Sequence, residues 1–152
     1  MEWVTRNFPA AGVYPAYTYT GQIRGGERHG FGGMSWETGT WKSYDGQWKD
    51  NKIHGQGIME YRNGDVYEGQ FADRLKQGQG MYKWSDRRSF VGQWQEGKMH
   101  GLGVLKYSNG DSEEGSWEES KRQGEFIWSN ADGTRYSHVY KDDIATSQTP
   151  IP

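Results

Sequence analysis

The chain has no cysteine among its 152 residues, which excludes disulfide staples and thiolate metal sites. Proline is scarce, four against 23 glycines, and no apolar run is long enough to cross a bilayer as a helix. There is no Asn-x-Ser/Thr sequon, and the opening Met1-Glu2-Trp3 lacks the basic and apolar regions of a secretory signal, so a cytoplasmic location is expected. Charge of one sign is missing too. Eighteen Lys and Arg against 20 Asp and Glu leave a formal −2, with no global attraction to nucleic acid. Only 32% of residues are hydrophobic, too few for an aliphatic core, yet 15% are aromatic, including 8 Trp and 10 Tyr. Disordered chains are poor in rings, so the chain is read as folded around them.

What is there is a repeat. The stretch Tyr44 to Gly64 recurs from Tyr67, Phe90 and Glu113 at a step of 23 residues. Each copy opens with ring, glycine and ring at alternate positions: Tyr44-Asp45-Gly46-Gln47-Trp48, Tyr67-Glu68-Gly69-Gln70-Phe71, Phe90-Val91-Gly92-Gln93-Trp94. The fourth of these reads Glu113-Glu114-Gly115-Ser116-Trp117. A polar turn and a Gly-x-Gly step follow, as in His54-Gly55-Gln56-Gly57, and the copy closes on Tyr61-Arg62-Asn63-Gly64 or its equivalent. An earlier copy starts at Tyr19 and is two residues longer; a partial one starts at Tyr136. Residues 19–140 thus form the repeat domain, with an N-terminal flank over 1–18 and a flexible tail over 141–152.

Ring and polar residue alternate with period two, so each copy is a β-hairpin, with Asn63-Gly64 and Asn109-Gly110 as two-residue turns. Tyr44, Gly46 and Trp48 share one face, where rings lie over glycines. The fold expected is all-β: a single-layer, twisted antiparallel sheet of eleven or twelve strands, roughly 50 to 60 Å long at ~4.8 Å per strand. With no amphipathic helix to cover it, the ring face should be an open trough.

At these residues the chain resembles the MORN (membrane occupation and recognition nexus) family, whose pattern Tyr-x-Gly-x-Trp-x-x-Gly-x-x-His-Gly-x-Gly-x-x-x-Tyr-x-x-Gly is followed closely by residues 44–64. The resemblance implies an elongated sheet of hairpins with an aromatic groove, serving as a scaffold in cytoskeletal, ciliary or membrane-junction assemblies. It also implies self-association or a partner helix in the groove. The copy from Glu113 departs most: Glu113 stands for the first ring, Phe126 for a glycine, and Ser120 replaces another. It is expected to be the weakest stacked, a cap or a seam. Arg87 replaces the turn glycine of the copy before it.

The candidate partner-binding groove is Trp48, Tyr61, Phe71, Trp84, Trp94, Tyr107, Trp117 and Trp128. These rings are core first, and a half-covered row of them is also what a peptide or helix docks on. His29, His54 and His100 precede the glycine pair, but Gln77 and Gln123 take the same place, and glutamine copies a hydrogen bond rather than metal ligation. Equivalent positions lie roughly 10 Å apart, so they cannot share a metal. No metal and no cofactor are expected. There is no Ser/His/Asp arrangement or phosphate loop, and the chain is not read as an enzyme.

Arg62, Lys83, Arg87 and Arg88 are the candidate contacts for an anionic lipid, although the surrounding basic cluster is split between opposite turns, with Arg74 and Lys76 at the other. Residues 111–125 are acidic and are read as a solvated face or as the mate of a basic surface. The leading reading is a non-catalytic scaffold whose groove or sheet ends hold a partner helix, a peptide or a second copy, placed in the cytoplasm at cytoskeleton or cilium. A membrane or phosphoinositide adaptor is the second reading, and a carbohydrate- or choline-binding module the third.

Overall fold

A computed structural model describes residues 1–152. There is no helix. The strands are β1 (Glu2–Phe8), β2 (Tyr17–Arg24), β3 (Glu27–Trp36), β4 (Trp41–Lys49), β5 (Lys52–Tyr61), β6 (Val66–Ala72), β7 (Leu75–Lys83), β8 (Ser89–Gln95), β9 (Lys98–Lys106), β10 (Ser112–Glu118), β11 (Lys121–Ser129), β12 (Arg135–Lys141) and β13 (Ile144–Ile151). They form one open antiparallel sheet in chain order. The flank and tail outside the 23-residue period each hold a strand: β1 pairs with β2, and β13 with β12. By contact the chain divides into two compact units, Met1–Leu75 and Lys76–Pro152.

Two kinds of turn alternate. The six turns within hairpins, at 25–26, 50–51, 73–74, 96–97, 119–120 and 142–143, have two central residues, both with positive φ. That is the I′ geometry matching strand twist. In four of them neither residue is glycine: Asp50-Asn51, Asp73-Arg74, Glu119-Ser120 and Asp142-Asp143. A backbone bond at the last five turns explains the tolerance. Asn51 N–H donates to Arg28 O, Arg74 to Ile53, Gly97 to Lys76, Ser120 to Met99 and Asp143 to Arg122, clasping each of these five turns to the hairpin before it.

The turns between hairpins correct an expectation. Asn63-Gly64 is not a two-residue turn, because Tyr61 N–H donates to Asp65 O and Gly64 N–H to Tyr61 O, enclosing Arg62, Asn63 and Gly64. Only Gly64 has positive φ. The Asn63 side chain accepts the Asp65 N–H at 2.9 Å, so its amide serves as an acceptor instead of its backbone adopting a left-handed form. Asn109 with Asp111, Asp86 with Arg88 and Asp132 with Thr134 repeat the motif.

The glycine pairs work as read. Gly46 faces Gly57, and a Cβ on either would overlap the Tyr44 ring, which lies flat across both. Tyr44 is fully buried and its hydroxyl donates to Gln47 O at 2.8 Å. In the first unit Tyr44 meets Trp48 edge-on at 5.2 Å and Phe71 at 5.5 Å; in the second, Phe90 meets Trp94 at 5.4 Å and Trp117 at 5.5 Å. Each ring thereby contacts its own hairpin and the next. An edge-on pair adds about 0.5–1.5 kcal/mol beyond burial, which is what couples one hairpin to its neighbour.

Candidate binding face

The eight rings expected to line the groove divide into two groups. Trp48, Phe71, Trp94 and Trp117 are buried in the ring layer, closed over by their neighbours, and present little surface. Tyr61, Trp84, Tyr107 and Trp128 are half-buried and reach solvent. Burial and then the Asp65 carboxylate push the Tyr61 phenol up to about 12. Trp128 falls two residues short of the position equivalent to Tyr61, Trp84 and Tyr107, opposite Glu113 where Met34 faces Tyr19 and Met59 faces Tyr44. Its indole N–H donates to Asn130 Oδ1 at 2.7 Å.

The residue that follows each of the first five I′ turns by two is Arg28, Ile53, Lys76, Met99 or Arg122. Arg28 lies over Trp48 at 5.1 Å, Lys76 over Trp94 at 5.3 Å and Arg122 over Tyr140 at 4.4 Å. Cation and aliphatic side chain are interchangeable here because both lay a hydrocarbon stem on a ring. Burial lowers the Lys76 pKa.

The four candidate lipid contacts have different employments. Arg62 donates to the carbonyls of Trp36 at 2.7 Å and Gly39 at 3.0 Å, tying down the preceding loop. Arg88 binds the Asp86 carboxylate at 2.8 Å and lies 4.8 Å from the Trp84 ring centroid. Arg87 holds the left-handed position with φ 75°, and Lys83 is exposed at the end of β7. The histidine column is built into turns. Asp50 N–H approaches His29 Nδ1 at 3.5 Å, Gln77 Oε1 accepts Glu96 N–H at 3.0 Å, and Gln123 exchanges two bonds with Asp142.

Sequence reasoning missed a recess in the first unit, about 320 Å³, formed by Tyr14, Tyr17, Arg28, Met34, Trp36, Trp41, Trp48, Asn51, Ile53 and Arg74. Its signal was the two-residue excess of the first copy. The extra residues lengthen β4 at its start through a bulge between Trp41 and Ser43 and supply Trp41, which meets Trp36 at 5.3 Å. Trp41 remains 37% exposed.

The acidic stretch is not wholly a solvated face. Glu113 is 1% exposed, with Arg122 Nη1 3.2 Å from both its oxygens and the Tyr107 hydroxyl donating at 3.1 Å. Arg122 also binds Asp143. Burial opposes the guanidinium's charge, but the Asp143 hydrogen bond and the Glu113 charge outweigh it and hold the Arg122 pKa above its ordinary value. Burial, then the Glu113 carboxylate, raises the Tyr107 phenol.

Comparison with known proteins agrees with this architecture. Alsin from Rattus norvegicus is 38% identical over 92 residues, covering 43% of this chain and 6% of the relative; Alsin from Homo sapiens is 37% identical over the same length and shares. The chain therefore spans about 6% of the length of the curated relatives it matches. The family model described as MORN repeat matches residues 19–41, 44–66, 67–87 and 90–112, more than half of the chain. Hairpins of this sequence, stacked with rings over paired glycines, are the repeat of that family, and the chain belongs to the MORN repeat family.

Proposed function

We propose that the chain is a non-catalytic interaction scaffold that holds a partner helix or peptide, or a second copy of itself, on the half-buried rings of its ring face. The observation that carries the reading is Tyr61, Trp84 and Tyr107, each at the close of a hairpin with a ring reaching solvent above a buried layer. Rings of this kind, in either unit, offer large, stiff contact area with polar tips. MORN repeats are a non-enzymatic interaction or membrane-associated module, and a cytoskeletal or ciliary assembly in the cytoplasm is the setting we favour. The lipid-adaptor reading gains less support, because Arg62 and Arg88 are engaged within the chain.

Affinity capture with the intact chain and with a Trp41→Ala/Trp84→Ala variant tests the proposal. Both rings stand outside the buried layer, so the variant should keep its circular dichroism. A stoichiometric partner, or a dimer seen by light scattering, should be lost with the two rings. Equal capture by folded variant and intact chain would refute it.

A further inference from the structure

The ring face of the first unit carries an unusual charge pattern. The recess of Trp36 and Trp41 shares Tyr17, Arg28 and Asn51 with a second of about 260 Å³, formed by these with Arg6, Phe8, Tyr19, Ile23 and Gly26. Together the two contain Arg6, Arg28 and Arg74, and no carboxylate. None of the three arginines pairs with an acid in the chain, whereas Arg24 on the opposite face pairs with Asp50 and Arg122 is held by Glu113 and Asp143. Arg28 is positioned by its stack on Trp48 and Tyr17 and by a bond from Nη2 to Asn51 O at 3.2 Å, yet its Nε is buried without a hydrogen-bond partner. A buried N–H on a cation left unmatched costs free energy until an anion or acceptor reaches it.

From this we infer that the ring face of the first unit binds an acidic peptide segment of a partner protein, with an apolar side chain seated against Trp36 and Trp41. A neighbouring Asp or Glu meets Arg28 and Arg74. This deepens the scaffold reading and rests on it. The recess lies near the lower bound of about 300 Å³ for ligand sites, so it takes an anchoring side chain while the rest of the segment stays outside. The choice of a peptide over a bilayer follows from shape. The Arg28 guanidinium lies within a ring-walled hollow, not on a projecting rim, and a carboxylate on a protruding stem enters where a plane of headgroups does not. Arginine's planar fork also matches a carboxylate in two-point contact.

The repeats themselves supply variants expected to fold. Arg28→Met copies Met99 and Arg74→Asn copies Asn51, each at the equivalent position of another hairpin. A random linear peptide library displayed on phage is selected against the full chain, and the enriched peptides are titrated against the full chain and the double variant. Enriched peptides should carry Asp or Glu beside Leu, Phe or Trp. Their affinity should fall about tenfold for each arginine removed, and fall further as salt is raised. Peptides without acidic residues, bound equally by the double variant but lost in Trp84→Ala, would overturn the acidic-peptide inference and leave the scaffold reading intact. A library that yields no binder to the ring face would count against both. Vesicles of phosphatidylcholine with phosphatidylinositol bisphosphate form the control: arginine-dependent vesicle binding with no acidic peptide enriched would assign the cations to lipid and overturn the inference.

Discussion

The hairpin from Tyr44 and the hairpin from Glu113 solve one packing problem in two ways. In the former a phenol from the first strand lies over a pair of small residues, Gly46 and Gly57. In the latter the ring comes from the second strand. Phe126 faces Gly115 and covers it, and it meets Trp117 at 5.4 Å and Tyr140 at 5.3 Å, the contacts that Tyr44 makes with Trp48 and Phe71. Glu113, displaced from the ring role, is neutralised by Arg122 and accepts a hydrogen bond from Tyr107. Two departures that look like independent losses in the sequence are one exchange. The expectation of a weakly stacked fifth copy missed it, because a 23-residue alignment compares each position with its counterpart and not with the residue across the strand pair. What the layer requires is one ring per glycine-lined slot, from either side.

Breaking the exchange on one side should have the largest effect. Phe126→Gly restores the family pattern locally but leaves the slot empty, and should cost about 3–5 kcal/mol in urea denaturation. Adding Glu113→Tyr should recover most of that loss, an interaction measurable in a double-mutant cycle; no recovery would mean that Phe126 acts alone. Glu113→Ala strips Arg122 of a buried partner and should cost about 3 kcal/mol, the lower end for breaking such a pair because Asp143 remains.

Alkaline pH presses on the hairpin that kept its phenol. Tyr61 is pushed up to about 12 from 10.0, and Tyr44 is raised too, by burial. The folded chain holds these protons more tightly than the unfolded one, so their contribution is intact below pH 10 and is lost as pH climbs toward 12. The free energy of unfolding should fall over that window, by about 1–2 kcal/mol for Tyr61, as read from urea denaturation at successive pH values. The smallest effect tests another difference. In the hairpin from Tyr44, Gln47 Oε1 accepts Gln56 N–H at 2.7 Å beside Gly55, whose φ is 68°. Ser116 takes that place in the fifth copy and is too short to reach across, so Ser116→Gln should stabilise by about 0.5–1.5 kcal/mol.

Much of this was legible in the sequence. Period-two alternation and the 23-residue step announce stacked hairpins, and the substitution of Gln77 for histidine announces a hydrogen-bonding role. The turn type at Asn63-Gly64 was not legible, because the same dipeptide serves two geometries and the side-chain bond to Asp65 decides between them. Nor could the sequence separate buried from half-buried rings, since Trp48 and Trp84 both stand at alternating positions, and Trp48 is buried because Tyr19 and Arg28 of the hairpin before it close over its indole. The Trp36/Trp41 recess was hidden for a related reason: a two-residue excess reads as a longer connection until the bulge shows where the added indole goes.

The bond from each of the last five I′ turns to the hairpin before it has a consequence for how such chains change in length. Its donor and acceptor are main-chain atoms, present whatever the side chains, so Asn51, Arg74, Gly97, Ser120 and Asp143 make the same junction despite sharing no chemistry. Any hairpin can therefore follow any other. Duplication or loss of a whole 23-residue module leaves every remaining joint intact, whereas small insertions belong at the opposite margin, where the first copy carries its two extra residues.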